Sequence, residues 1–372
     1  MKTTCTKGID NVDQTLWKQL TDHHPFASAG WCRYGEAVLD DAGYYVMVHD
    51  DDRVIAGAIF WVIYRDDFPI ENKMIRRVFD WYIRHNPMLV ARTAIRTDYK
   101  GVFLPADRDL ANQALHEIMT VAHRLLQEHG CSFFFADYFE ADELDLDWGD
   151  VIKLKNFLEV GTKLELPYET YDDYLLATKA RKKKHWKNIR HNTRKAHKRG
   201  LSVVIDNQPP PRERLHDMLY QQRAKYDALN PNNYEMDVYE QSALLPDDMR
   251  WIKIYQDETE LVGAELAFIC QQTGVYYPGL FGRDADVDYV YFLAYYTAIR
   301  YAIEQGATVM IGNSGSEHFK VRLGFIADRR NNLIFYPASP IARALARWIV
   351  RVIRSQPDVS TATPPDQLDD DD

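Results

Sequence analysis

The sequence predicts an α+β fold in two tandem lobes, each a mixed, mostly antiparallel sheet flanked by helices. Three observations predict it. A chain of 372 residues suits two domains of ordinary size, each with its own core. A hairpin–strand–helix–strand order occurs twice along it. Between the two occurrences lies a strongly basic helical stretch. This places the first lobe at residues 1–165 and the second at 166–355, led by a basic helix over 171–199, with a disordered acidic tail at 356–372.

The first lobe opens with a helix over 12–20 and another near 34–39. Tyr44-Tyr45-Val46-Met47-Val48 and Val54-Ile55-Ala56-Gly57-Ala58-Ile59-Phe60 flank the turn residues Asp50, Asp51 and Asp52, a hairpin pattern. Residues 111–128 are helical by period, with Leu115, Ile118, Val121, Ala122 and Leu125 on one face. Gly130 ends that helix, and Phe133-Phe134-Phe135-Ala136 reads as a buried strand.

The second half repeats the order. Trp251-Ile252-Lys253-Ile254-Tyr255 and Leu261-Val262-Gly263-Ala264-Glu265-Leu266 form the hairpin, and Val275-Tyr276-Tyr277-Pro278-Gly279 starts the next strand. A helix over 288–305 ends at Gly306, before the strand Thr308-Val309-Met310-Ile311. Between the halves, 171–199 has the composition of one long helix. From Lys179 to Arg199 it carries eleven Lys or Arg and three His, with a thin apolar stripe at Trp186, Ile189, Thr193 and Ala196. Gly200 caps it, a strand follows at 201–205, and the next helix runs through Leu215, Met218, Leu219, Tyr226 and Leu229. A last helix over 341–354 combines Leu345, Trp348 and Ile349 with Arg343, Arg347, Arg351 and Arg354. It suits docking on the fold or a peripheral membrane contact.

The net charge of −10 argues against a general nucleic-acid binder, but the tail over 358–372 supplies six of the acids and no base. The remainder stands at about −4 by the same count, which leaves room for basic patches. Cys5, Cys32, Cys131 and Cys270 are scattered, without the spacing of a zinc site, so thiols in a reducing compartment and no metal are expected. With no signal-like or bilayer-spanning apolar run, the expected location is cytoplasmic.

Three stretches carry a resemblance. They are Lys179-Ala180-Arg181-Lys182-Lys183-Lys184 with Asn188-Ile189-Arg190; Tyr291-Phe292-Leu293-Ala294-Tyr295-Tyr296; and Gly315-Ser316-Glu317-His318-Phe319-Lys320-Val321-Arg322-Leu323-Gly324-Phe325. In order and spacing, over about 150 residues, they resemble the FemAB-like (peptidoglycan biosynthesis/recognition) branch of the GNAT acyltransferase superfamily. Leu293 stands where that family often has an acid, and Phe319 is inserted between His318 and Lys320. The usual GNAT pyrophosphate loop is absent, and Gly282-Arg283-Asp284-Ala285-Asp286-Val287-Asp288 takes its place in the second lobe.

The resemblance implies two tandem GNAT-like lobes and an N-acyltransferase, such as an N-acetyltransferase, that moves an acyl group from acyl-CoA to an amine. The acceptor would be a small molecule or a cell-wall precursor. Two alternatives stay open: a Fem-type enzyme drawing on aminoacyl-tRNA, and an inactive GNAT-like module that binds a polyanion.

Acyl transfer to an amine needs a held donor, an acceptor for the amine proton and stabilisation of the oxyanion. Donor phosphates are expected near Arg283 and the following helix start, although Asp284, Asp286 and Asp288 oppose them. Glu265, inside an apolar strand, is either a base of raised pKa or a carboxylate turned by alternation to solvent or a salt bridge. Glu317, His318 and Lys320 at a helix start are acid–base or donor-orienting groups, or a solvated helix end. Asn313 and Ser314 hydrogen-bond the donor or cap that helix. Tyr295 and Tyr296 are neighbours and point to different faces; one is expected in the core and one in the cleft, where the resemblance implies a proton donor to the leaving group. Arg181, Lys183, Lys187 and Arg190 are expected to meet phosphates of the donor, unless their helix is merely a solvated face.

Overall fold

The computed structural model describes residues 1–21, 24, 26–64, 73–93, 99–155, 161–225, 241–245, 249–270, 273–312, 317–330 and 332–354. Among the described residues the chain divides into two compact units: Met1–Gly161 with 328–354, and Thr162–Ala327.

In the first unit, β1 (Lys2–Lys7) is followed by α1 (Gln14–Thr21) and α2 (Ala29–Leu39), then the hairpin β2 (Tyr44–Asp50) and β3 (Arg53–Ile63). Asp51 takes the left-handed turn conformation there, φ 52°, which Asp tolerates better than most side chains. Next come α3 (Lys73–His85), β4 (Met88–Ala91), β5 (Val102–Phe103), α4 (Arg108–Glu128), β6 (Phe133–Phe139) and β7 (Ile152–Leu154). Asp107 caps α4, accepting from the Leu110 amide at 2.9 Å. Strand alternation sorts β6 between two cores. Phe134 and Ala136 pack with Leu115, Ile118 and Ala122 of α4, while Phe133 and Phe135 join Met88 and Val90 in the other layer.

The second unit runs β8 (Gly161–Glu165), α5 (Tyr171–Arg181), α6 (Lys183–Lys198), β9 (Leu201–Asp206), α7 (Arg212–Lys225), β10 (Met249–Gln256), β11 (Glu260–Cys270), β12 (Val275–Arg283), α8 (Val290–Glu304), β13 (Val309–Ile311), α9 (Glu317–Leu323) and β14 (Ile326–Asp328). Its sheet order is β14-β8-β13-β12-β11-β10-β9. The repeat expected from sequence is present: each unit has an antiparallel hairpin, β2–β3 or β10–β11. In each, the strands bracketing the following long helix then pair in parallel, β4 with β6 and β12 with β13. These are two lobes of α+β character. The continuation through Tyr226 and Leu229 and the acidic tail lie outside the described residues.

Two sequence expectations change. The basic stretch is two helices, since Lys182 is extended (φ −154°, ψ 109°) between α5 and α6. It sits within Arg181-Lys182-Lys183-Lys184, where like charges repel on a continuous helix. The two helices then bury separate stripes, Tyr174 and Thr178 on α5, and His185, Ile189 and Ala196 on α6. A Thr170–Asp173 capping box starts the first.

The second change concerns the boundary at 166–355. The chain after Ala327 returns to the first unit, as β15 (Asn332–Pro337) and α10 (Pro340–Arg354). β15 fills the gap between β6 and β7, antiparallel to both, giving the order β1-β2-β3-β4-β6-β15-β7 with β5 on β3. Phe335 lies 4.6 Å from Phe135 and 5.2 Å from Phe133, ring centre to ring centre, and Asn332 donates to the Phe139 carbonyl at 2.7 Å. An apolar strand placed here satisfies two otherwise open sheet edges at once. A chain cut after Ala327 is therefore expected to lose the unfolding transition of the first unit in calorimetry while the second unit keeps its own. Retention of both transitions would show that β15 is dispensable.

Candidate functional site

The second sheet opens at β12. Its parallel pairing with β13 covers only Val275↔Val309 and Tyr276↔Met310, yet β12 continues to Arg283. On its other side, the register with β11 shifts between Glu265↔Phe281 and Ala267↔Pro278, so Gly279 and Leu280 both face Leu266. This is a β-bulge beside a proline, where a strand bends and twists. A Cβ on Gly279 would stand 2.3 Å from the Leu266 carbonyl oxygen, so only glycine allows the approach.

Beside the opening lies a buried acid–phenol cluster. Glu265 is 2% exposed, and its Oε2 has no hydrogen-bond partner among the described residues. Burial in an apolar strand pushes its pKa up to about 8. The Tyr276 hydroxyl on β12 is equally without a partner among the described residues. Burial, with the Glu265 charge adding, raises Tyr276 well above the ordinary range. Tyr295 of α8 is raised the same way, by burial first, then Tyr291 and Glu265. Tyr291 and Tyr295 hydrogen-bond side chain to side chain, with rings 5.0 Å apart. Of the two readings of Glu265, the buried one holds.

The two neighbouring tyrosines face different ways, with Tyr295 at the buried cluster. Tyr296 faces α6, where its hydroxyl accepts from Asn192 at 3.1 Å. Burial pushes Tyr296 up to about 12, with the Asn192 bond pulling the other way.

The third motif behaves differently from its sequence reading. His318 is exposed, whereas Lys320 is 2% exposed and its amine donates to the Gly312 carbonyl at the end of β13. Lys320 thus ties α9 to the sheet inside the fold instead of projecting from a solvated helix start. Phe319, the inserted residue, packs on Phe292, Tyr291 and Tyr295 at 5.2, 5.3 and 5.4 Å and lines the cluster. Gly324 has φ 101°, and a Cβ there would lie 2.2 Å from the Arg181 guanidinium. The Gly of the Gly-Phe ending therefore makes room for Arg181, while the Tyr174 hydroxyl donates to Leu323 O at 2.9 Å. The basic segment and the third motif are one packed assembly. Asn313, Ser314 and the Glu317 side chain lie outside what the structure describes.

In the loop between β12 and α8, three amides are already bonded, whereas α8 starts after Tyr289 (φ 69°) without a side-chain cap. Asp284 donates to Val262 O at 2.9 Å, Ala285 to Gln221 Oε1 at 3.0 Å, and Asp286 to Asp284 Oδ1 at 3.1 Å. Asp284 pairs with Arg214 and Asp288 with Arg199, at 2.9 and 2.8 Å. Arg283 is half-buried at the strand end.

Positive charge concentrates instead in a groove of about 540 Å³ between α5, α6 and α8. Arg190, Arg194 and Lys198 rim it with Arg300, over a floor including Tyr171, Leu175 and Ile189, and no acid lines it. The Arg300 guanidinium lies 4.7 Å from the Tyr171 ring, and Arg190 lies 4.9 Å from Trp186. None of these four cations pairs with a carboxylate among the described residues. Lys183 and Lys187 are exposed and do not line the groove. Arg194, itself part of the basic motif, was not among the expected donor contacts, nor were Lys198 and Arg300; the i, i+4, i+8 spacing of Arg190, Arg194 and Lys198 was the available signal. Among the described residues no group of His, Cys, Asp and Glu is placed to hold a metal, and no helix is long and apolar enough to cross a membrane.

The family model for FemAB-like proteins of peptidoglycan biosynthesis/recognition matches residues 8–363. The crystal structure of FemX superposes at TM-score 0.62 and 11% identity, covering 94% of this chain and all of that one. A tandem GNAT protein from the clavulanic acid biosynthesis pathway gives 0.52 at 10% identity, with 91% and 99% covered. L-PGS from Bacillus licheniformis gives 0.50 at 12%, with 87% and 91% covered. At such identities the likeness is one of fold, two GNAT lobes in tandem. No curated protein matches the sequence.

Two outcomes follow from this geometry. Folding must keep Glu265 neutral up to about pH 8, whereas an unfolded glutamate ionises near the ordinary value of 4.5. The raised value means that stability is lost as pH rises between those limits, by up to about 1.4 kcal/mol per pH unit, and is level above them. Denaturant melts of Glu265→Gln should lack this decline; parallel pH profiles for the two proteins would refute the buried, uncompensated carboxylate. Lys320→Met should lose about 1–3 kcal/mol, because the Gly312 carbonyl is left without its donor. An unchanged denaturation midpoint with collapsed turnover would instead place that amine on the substrate.

Proposed function

Since the chain belongs to the FemAB-like family and is an acyltransferase on the GNAT fold, we propose that it transfers an aminoacyl group from aminoacyl-tRNA to an amine of a peptidoglycan precursor. The unpaired cationic groove carries this reading. Arg190, Arg194 and Lys198 follow one another at four-residue intervals, about 6 Å apart along the helix, the spacing of neighbouring phosphates on a nucleic-acid strand. With no acid in the lining, the groove suits a phosphodiester backbone, and its attraction should fade with salt. The bonded amides of Asp284, Ala285 and Asp286, and the acids that carry them, count against the pyrophosphate of coenzyme A at that loop.

The reaction joins the acceptor nitrogen to the ester carbonyl carbon through a tetrahedral oxyanion, then releases the RNA hydroxyl. Where β12 runs on without β13, the open strand edge offers backbone N–H groups to that oxyanion. Glu265, with a free Oε2 and a pKa near 8, takes the proton the amine loses through the ionised fraction present near that pH. Tyr295 returns a proton to the leaving oxygen. The aromatic wall of Phe319, Tyr291 and Phe292 keeps water from the ester.

One observation favours acyl-CoA as a second reading. The bulge at Gly279 and the parting of β12 from β13 would let an extended donor arm add along the free strand edge. A transfer assay supplied separately with aminoacyl-tRNA and acyl-CoA distinguishes the two. With aminoacyl-tRNA, Arg194→Glu/Lys198→Glu should raise the RNA Kd at low salt and lower the slope of log affinity against log salt by about two. Turnover with acyl-CoA that is untouched by this substitution, and none with aminoacyl-tRNA, would reverse the assignment.

A further inference from the structure

The first unit carries an exposed surface that acyl transfer does not use. α3 and α10 cover the same layer of its sheet. Ile83 of α3 and Ala342 and Ala346 of α10 belong to one buried cluster with Met88, Val90, Phe133, Phe135, Leu333 and Phe335, which lie on the neighbouring strands β4, β6 and β15. Both helices therefore turn their opposite faces outward, and those faces are not polar. On α3, Trp81 is 62% exposed and Val78 49%. On α10, Ile341 is 74% exposed and Trp348 42%; seven residues apart, they fall on one helical stripe.

Cations flank these apolar side chains. The two helices hold eight Lys or Arg against one acid, Asp80, in a chain of net charge −10. Arg343, Arg347 and Arg351 follow one another at i, i+4 and i+8 beside the Ile341–Trp348 stripe. Arg343 meets the exposed Asp150 at 3.3 Å, whereas Arg77, Arg84, Arg347 and Arg351 are exposed and pair with no carboxylate among the described residues.

We propose that this face docks on an anionic phospholipid surface, with α3 and α10 lying in the plane of the interface. Tryptophan is the side chain that gains most at the headgroup level, where its ring is dehydrated and its N–H remains solvated. Arginines beside it reach lipid phosphates while their stems cover apolar surface. An extended polyanion such as RNA satisfies the arginines but gains nothing from exposed Ile341 and Val78, which favours lipid over nucleic acid. Neither helix crosses the bilayer, so attachment is peripheral, reversible and sensitive to salt. The inference stands apart from the donor assignment, since no residue of the second unit takes part.

Sedimentation with vesicles tests it. The full chain should pellet with vesicles containing phosphatidylglycerol at low salt, and stay in solution with phosphatidylcholine alone. Trp81→Ser/Ile341→Ser changes only well-exposed side chains and should reduce the bound fraction by about tenfold or more. Arg347→Glu/Arg351→Glu should do the same, with thermal melts confirming that both variants fold. Wild-type binding to anionic vesicles that survives the Trp81/Ile341 change, or no binding by the wild type, overturns the proposal. A wild-type dimer that the same change splits, without vesicle binding, would assign the face to a second copy of the chain.

Discussion

β12 pairs with β13 at two positions among the described residues, and just beyond them Gly279 and Leu280 stand together opposite Leu266 in a bulge that bends the strand. A parallel sheet without this bulge would close, and its backbone groups would be consumed by neighbouring strands. With the strands parted, β12 runs on to Arg283 beyond its two paired positions with β13. α8 then follows from the far end of β12 and brings Tyr291 and Tyr295 back over the strands that carry Glu265 and Tyr276. The parting of the strands and the buried acid–phenol cluster thus lie around one backbone irregularity.

Glu265 illustrates what such placement costs. A carboxylate without a hydrogen-bond partner for one oxygen, inside an apolar strand, opposes folding whenever it is charged. The surrounding phenols do not relieve it, since each is itself pushed toward its neutral form by the same burial. All three groups therefore hold their protons at neutral pH, and the carboxyl is the one that exchanges nearest to it. Local destabilisation of this kind is commonly stored at reacting centres, where the shifted affinity for a proton is useful. Phe319 packs over Tyr291, Phe292 and Tyr295 beside this cluster.

An overall charge of −10 conceals how the cations are sorted. In the β12–α8 region they are spent on acids, Arg214 on Asp284 and Arg199 on Asp288. Arg190, Arg194 and Lys198 of α6, Arg77 and Arg84 of α3, and Arg347 and Arg351 of α10 meet no carboxylate among the described residues. In the first setting the pairs shape a loop; in the second, the field extends into solvent, where only a partner of opposite charge can answer it.

Local information in the sequence determined a great deal. Alternating apolar runs around acidic turns specified both hairpins, and the period of Leu115, Ile118, Ala122 and Leu125 specified α4, because these patterns need only near neighbours to be read. The resemblance of three short stretches brought Tyr295 and the basic segment under attention, and Glu265 stood out as an acid inside an apolar strand. Direction was beyond reach. Which of Tyr295 and Tyr296 meets Glu265 depends on how α8 rolls against β11 and α6, and Lys320 faces inward because Gly312 waits there for a donor. The break at Lys182 came from packing two helices where repulsion disfavours one. The return of β15 depended on a gap between β6 and β7 that exists only once the first sheet has formed, with Asn332 bonding to Phe139 across 193 positions of chain. Contacts at that separation leave no periodic trace in sequence, so only the tertiary structure decided them.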